Sequence, residues 1–116
     1  MVKRHKPESA RVVLITHPVH GAAAFARTLV EERLAACVNR IRLQSVYRWR
    51  GAIEEADEVL LLVKTSAVRL AALERALPRL HPSELPEFVA LDPARVEARY
   101  RAWLLAETVP RRGRRA

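Results

Sequence analysis

From Cys37 to Trp49 the residues alternate in a pattern that a β-strand satisfies and a helix does not. Ile41, Leu43, Ser45, Tyr47 and Trp49 fall on one side, and Arg40, Arg42, Gln44, Arg48 and Arg50 on the other. Arg50-Gly51 then supplies a tight turn, and 53–65 returns with a Val59-Leu60-Leu61-Leu62-Val63 centre, the continuous apolar run expected of a strand covered on both faces. The result is a long β-hairpin. Any fold for this chain must place two strands side by side that are longer than the rest of the sequence can pair.

The remaining segments fit around that hairpin. A β-branched run at 11–16 ends at His17-Pro18, where proline interrupts pairing, and reads as a first strand. Over 20–34, Ala22, Ala26, Leu29, Val30 and Leu34 recur at helical spacing opposite Arg27, Glu31 and Glu32. A second amphipathic helix is expected over 68–80 through Leu70, Leu73, Leu77 and Leu80, with Pro78 loosening its last turn. The segment 81–86 connects to a short strand at 88–91, and 96–108 closes as a helix carrying Tyr100, Trp103 and Leu104.

The order βαββαβα specifies an α+β chain, a ferredoxin-like βαββαβ sandwich with an extended hairpin of its second and third strands and a C-terminal helix. Helices then cover one sheet face. The other face and the overhanging strand edges are left for another copy.

At 116 residues the chain is one domain, here assigned to 10–109, with basic tails at 1–9 and 110–116. Seven of the eight net positive charges sit in residues 1–7 and 110–116, from Lys3, Arg4 and Lys6 and from Arg111, Arg112, Arg114 and Arg115, so the remainder is nearly neutral. Nucleic acid is therefore expected to bind only non-specifically, through the tails. No apolar run approaches a membrane span, and no export signal is read at the start, so no membrane partner and a cytoplasmic location are expected. The single Cys37 excludes an internal disulfide.

The set Glu31-Glu32-Arg33-Leu34-Ala35-Ala36-Cys37-Val38-Asn39, Tyr47-Arg48-Trp49-Arg50-Gly51 and Glu54-Glu55 resembles the CutA family of divalent-ion tolerance proteins. So do Glu58-Val59-Leu60-Leu61-Leu62-Val63-Lys64-Thr65 and Leu80-His81-Pro82-Ser83-Glu84-Leu85-Pro86-Glu87, with Tyr100 and Trp103 after them. The resemblance covers about 12–109. It implies a homotrimer that binds divalent cations weakly or transiently, copper first, in metal tolerance. It also marks two departures. Ser83 stands where the family usually has tyrosine, and the Pro-Gly break expected between Asn39 and Tyr47 is missing.

By that resemblance His81 and Glu84, on a loop stiffened by Pro82 and Pro86, are the first metal-ligand candidates, and Cys37 is a soft ligand or a packed apolar group. Strand topology sets Cys37 toward the end opposite His17, His20, Tyr47, Trp49, His81 and Glu84. His17 and His20 read as an open imidazole pair or as capping groups. Tyr47 and Trp49 suit an interface or a stacking pocket, and Trp103 joins them as an interface candidate. Lys64 either attracts an anion or lays its stem over apolar surface. The alternative function is a PII-like trimeric signalling or scaffold module holding a small anionic ligand between subunits near Lys64, Arg48 and Tyr47. No nucleophile and base are recognisable, which argues against an enzyme.

Overall fold

The computed structural model describes residues 9–110; the basic tails, apart from Ser9 and Pro110, lie outside the described residues. Strand β1 (Ala10–Pro18) is followed by helix α1 (Ala22–Glu31) and the hairpin of β2 (Cys37–Trp49) and β3 (Ala52–Ser66). One 3-10 turn (Ala67–Arg69) leads into α2 (Leu70–Leu80), then β4 (Val89–Leu91) and α3 (Ala98–Glu107). This is an α+β fold with one four-stranded sheet in the order β2-β3-β1-β4. Every neighbouring pair of strands is antiparallel.

The hairpin register runs from Cys37 opposite Lys64 to Trp49 opposite Ala52, without a bulge. Its two-residue turn has Arg50 at φ 49° and Gly51 at φ 83°. Left-handed geometry at both positions matches the natural twist of the paired strands, and the glycine adopts it without steric cost. Because β1 stops at Pro18 opposite Glu58, the hairpin beyond that point has no third strand beside it.

Residues paired across antiparallel strands share a face, so the register divides the sheet. Val13, Ile15, Val59, Leu61 and Val63 pack with Ala22, Phe25, Ala26 and Leu29 of α1 and with Leu73, Ala76 and Leu77 of α2. Each large side chain buried there contributes roughly 1.5–3 kcal/mol. The opposite face carries Val12, Leu14, Leu60, Leu62, Ile41, Leu43, Val89 and Leu91, which are half-buried or exposed. Strand β3 is therefore covered on one face along most of its length, where its sequence suggests two, and the helices do not all lie on one side as expected, because α3 packs over the Ala10–Ser66 end of the second face. Helix α3 takes no part in that main core. Its Leu104 packs with Ala10 and Ala36 in a second, smaller cluster, and the Thr108 hydroxyl donates to Ser66 Oγ at 3.1 Å.

The end of α1 differs from its periodicity. The helix stops at Glu31, three residues before Leu34. Arg33 turns left-handed at φ 59°, its amide donates to Val30 O at 3.0 Å, and the Leu34 amide donates to Leu29 O at 2.9 Å. That pair of reversed bonds is a Schellman motif, with arginine where glycine is usual. Leu34 keeps the helical apolar spacing because it folds back onto Leu29 in the core. Helix α2 runs through Pro78 to Leu80, and the His81 amide closes it on Leu77 O at 2.8 Å.

Candidate functional site

His81 leaves α2 with its ring turned inward, buried against Phe25 and His17 at centroid separations of 5.3 and 4.8 Å. Both ring nitrogens are engaged. The Thr16 carbonyl can only accept, so Nε2–H donates to it at 2.7 Å; the Ser83 amide can only donate, so Nδ1 accepts at 3.1 Å. This fixes the tautomer and leaves the ring neutral. Burial pushes the His81 pKa below its ordinary value; the bond to Thr16 opposes the shift, His17 adds to it, and Glu58 opposes it.

Glu84 points elsewhere. Its carboxylate receives Arg50 Nη2 at 2.6 Å, and the Arg50 guanidinium also stands 5.1 Å from the Trp49 ring centroid. The two ligands expected from the proline loop are thus held by different partners, one in the core and one at the hairpin tip. His17 and His81 do gather. Trp49 and Tyr47 do not join them, because Trp49 pairs with Ala52 while His17 pairs with Val59, seven positions along β3 and about 24 Å away.

His17 donates Nδ1–H to Pro18 O at 2.7 Å. With His20, Gly21, Ala24, Phe25, Thr28, Leu80 and Pro82 it lines a recess of about 320 Å³ on the helix side of the sheet. Gly21 stands there at φ 89°, and a Cβ on it would meet His17 Cε1 at 3.3 Å.

Cys37 lies on the other face, as the alternation requires, directly across from Lys64. Its thiol is free and half-buried, 3.8 Å from Asn39 Oδ1. Lys64 Nζ donates to the same oxygen. Lys64 therefore neither stands free for an anion nor simply covers apolar surface; it is tied into a Cys37–Asn39–Lys64 group. Tyr100 is close by: burial, and secondarily Cys37, raise its pKa. Its ring lies 5.5 Å from Trp103, and both aromatics are exposed. Asn39 was legible in the sequence, two residues from Cys37 and so on its face; nothing local marked Thr16 as the acceptor for His81.

Cys37 and His81 are separated: Cys37 pairs with Lys64 near the end of β3 on one face, and His81 lies on the other, bonded to Thr16, whose partner Leu60 is at mid-strand. Among the described residues no three His, Cys, Asp or Glu side chains converge into a closed cation cage. Nor is any helix among them long and apolar enough to cross a membrane.

A family model described as the CutA1 divalent ion tolerance protein matches residues 11–107. The chain belongs to the CutA family. The divalent-cation tolerance protein CutA of Thermus thermophilus is 48% identical over 84% of this chain and 96% of its own length. Its solved structure superposes with a TM-score of 0.82 at 46% identity, covering 86% of this chain and 99% of that one. A structure described as the PII-like protein CutA of Nostoc gives a TM-score of 0.83 at 33% identity, over 87% and 99% of the two chains. The mouse protein CutA, 39% identical over 84% of this chain, is longer, and the chain spans 56% of it. These CutA descriptions speak of cation tolerance or of likeness to PII proteins, not of a reaction.

Proposed function

We propose that the protein is a cytoplasmic homotrimer of ferredoxin-like subunits that binds divalent cations, copper foremost, weakly and in the service of metal tolerance. The observation that carries the assembly is the uncovered sheet face. Leu14, Leu60, Leu62, Ile41, Leu43, Val89 and Leu91 form an apolar surface that stays half-buried or exposed in the single chain, with α3 packed only over its Ala10–Ser66 end, and a contiguous patch of that kind is what subunit interfaces bury. The strand order and the family resemblance support ferredoxin-like subunits in threes, and one free thiol suits a reducing compartment.

Cation binding follows from family membership, and the donors are those within reach of an assembled face. Cys37 offers a soft sulfur on the buried side of the assembly, and Glu84 an exposed carboxylate. His81 contributes only if Ser83 gives up Nδ1. Since Cys37, His81 and Glu84 of one copy lie apart, a site built from them draws on more than one copy. Tyr47, Trp49 and Trp103, half-exposed in the single chain, pack at the contacts. The PII-like reading, an anion between subunits, loses its proposed anchor because Lys64 is held by Asn39 and lies on the face opposite Arg48.

Two measurements test this. Sedimentation velocity should give a trimer that Leu62→Glu dissociates. Cu(II) and Zn(II) titrations should weaken in Cys37→Ser and in a His81→Ala, Glu84→Ala variant. A monomeric native chain would overturn the assembly, and unchanged affinities in both variants would overturn the ligands.

A further inference from the structure

We infer that His17 and His20 form a second metal site, a two-imidazole site for a borderline divalent transition-metal ion, contained within one copy and separate from Cys37, His81 and Glu84. His17 is 3% exposed. Its Nδ1–H is committed to the Pro18 carbonyl at 2.7 Å, so the lone pair is on Nε2. Among the described residues Nε2 has no hydrogen-bond partner. Cε1, the ring atom bonded to Nε2, is the one nearest Gly21, and His17 and Gly21 both line the 320 Å³ recess. A neutral imidazole with one N–H held by a backbone carbonyl and the other nitrogen open is the arrangement in which histidine ligates metals.

The second imidazole is His20, three residues on, which lines the same recess and is exposed. Only Pro18 and Val19 separate them, and Gly21 follows directly. Pro18 fixes one φ, and Gly21 takes the left-handed turn that starts α1. Gly21 also keeps its side clear, because any Cβ would press on the His17 ring. His81 stacks behind His17 with both nitrogens occupied and supports the ring without competing for the ion. The remaining lining, Ala24, Phe25, Leu80 and Pro82 with the Thr28 hydroxyl, brings no acidic group, so two nitrogens hold the ion and its other positions stay open to water. Such a donor set suits Ni(II), Cu(II) or Zn(II) rather than Mg(II) or Ca(II).

The test is titration of the full chain with Ni(II) alone in a non-coordinating buffer, read by calorimetry and by paramagnetic broadening of amide resonances. Broadening should centre on 17–28 and 80–82. Removing a direct ligand should cost at least the 10–100-fold typical of losing an outer-shell partner. His20→Ala, at an exposed position that leaves the core intact, should therefore weaken binding by at least about tenfold, and Cys37→Ser should leave it unchanged. His17→Gln should abolish it; should that variant fail to fold, His20→Ala decides alone. Native-like affinity in His20→Ala, or broadening centred on Cys37 and Tyr100, would overturn the inference. Loss in the His81→Ala, Glu84→Ala or Cys37→Ser variants but not in His20→Ala would do the same while leaving the intersubunit site standing.

Discussion

Replacing Gly21 by alanine separates two costs that the structure places at one residue. Gly21 sits at φ 89°, where an L side chain costs roughly 1–2 kcal/mol. The added Cβ would also stand 3.3 Å from His17 Cε1, tighter than ordinary contact. That ring has little room to retreat, since Nδ1 is bonded to Pro18 O and the Phe25 and His81 rings lie 5.0 and 4.8 Å away. Overpacking of a fixed group costs typically ~1–3 kcal/mol. Against both stands the reduced entropy of the unfolded chain, worth about 0.4–1 kcal/mol.

The net expectation for Gly21→Ala is a loss of about 2–3 kcal/mol. Gly51→Ala is the control: its φ is 83°, but nothing lies within 4 Å of the new Cβ, so only the backbone cost remains, about 1 kcal/mol after the same entropy gain. Urea unfolding of both variants at one protein concentration, since the proposed assembly would make apparent stability concentration-dependent, should show Gly21→Ala worse by about 1–2 kcal/mol. In a domain of this size that difference is about 4–16 °C in Tm. Equal losses in the two variants would refute the contact with His17, and no loss in Gly51→Ala would refute the backbone argument itself.

Three further changes probe other parts of the fold. Thr65 is fully buried and its hydroxyl has no hydrogen-bond partner among the described residues, so Thr65→Val should raise stability by about 0.5–2 kcal/mol in urea. At Arg33, Gly relieves the left-handed backbone but surrenders the bond from Nη1 to Glu107 O. Arg33→Gly should therefore stay within about 0.5 kcal/mol of the parent, whereas Arg33→Val, β-branched and without that bond, should lose ~2 kcal/mol or more. For His81, whose folded pKa lies below its ordinary 6.5, the unfolded chain takes up the proton first. Stability is then full above about pH 6.5 and is lost as pH falls through the lowered folded value. Thermal scans from pH 8 to 5 should show that decline, and His81→Gln should flatten it.

The hairpin was legible because alternation, turn residues and length all said the same thing. What escaped notice depended on partners distant in sequence. Leu34 satisfies the helical period whether the helix continues or folds back, and Arg33 carries no glycine to mark the reversal. The prolines at 82 and 86 announce a rigid loop but not that Thr16, 65 residues earlier, would turn His81 inward while Arg50 drew Glu84 outward. The placement of Trp49 beside His17 failed for a countable reason: β2 and β3 have 13 and 15 residues against nine in β1, so their turn overshoots the end of the sheet.

The parity of the hairpin thus assigns chemistry as well as packing. On the α1–α2 side, side chains complete the core within one copy and bury the imidazoles of His17 and His81; on the other side, apolar residues and the Cys37 thiol stay half-buried or exposed in one copy. A slip of one residue in register would exchange the two sets, and the Arg50-Gly51 turn with the long unbroken ladder guards against it. Cation binding at the two faces should then respond oppositely to dilution. Donors drawn from several copies lose their site as the assembly dissociates, while a pair three residues apart on one chain keeps it. In the proposed trimer, Leu62→Glu should therefore abolish binding that depends on Cys37 and spare binding that depends on His20.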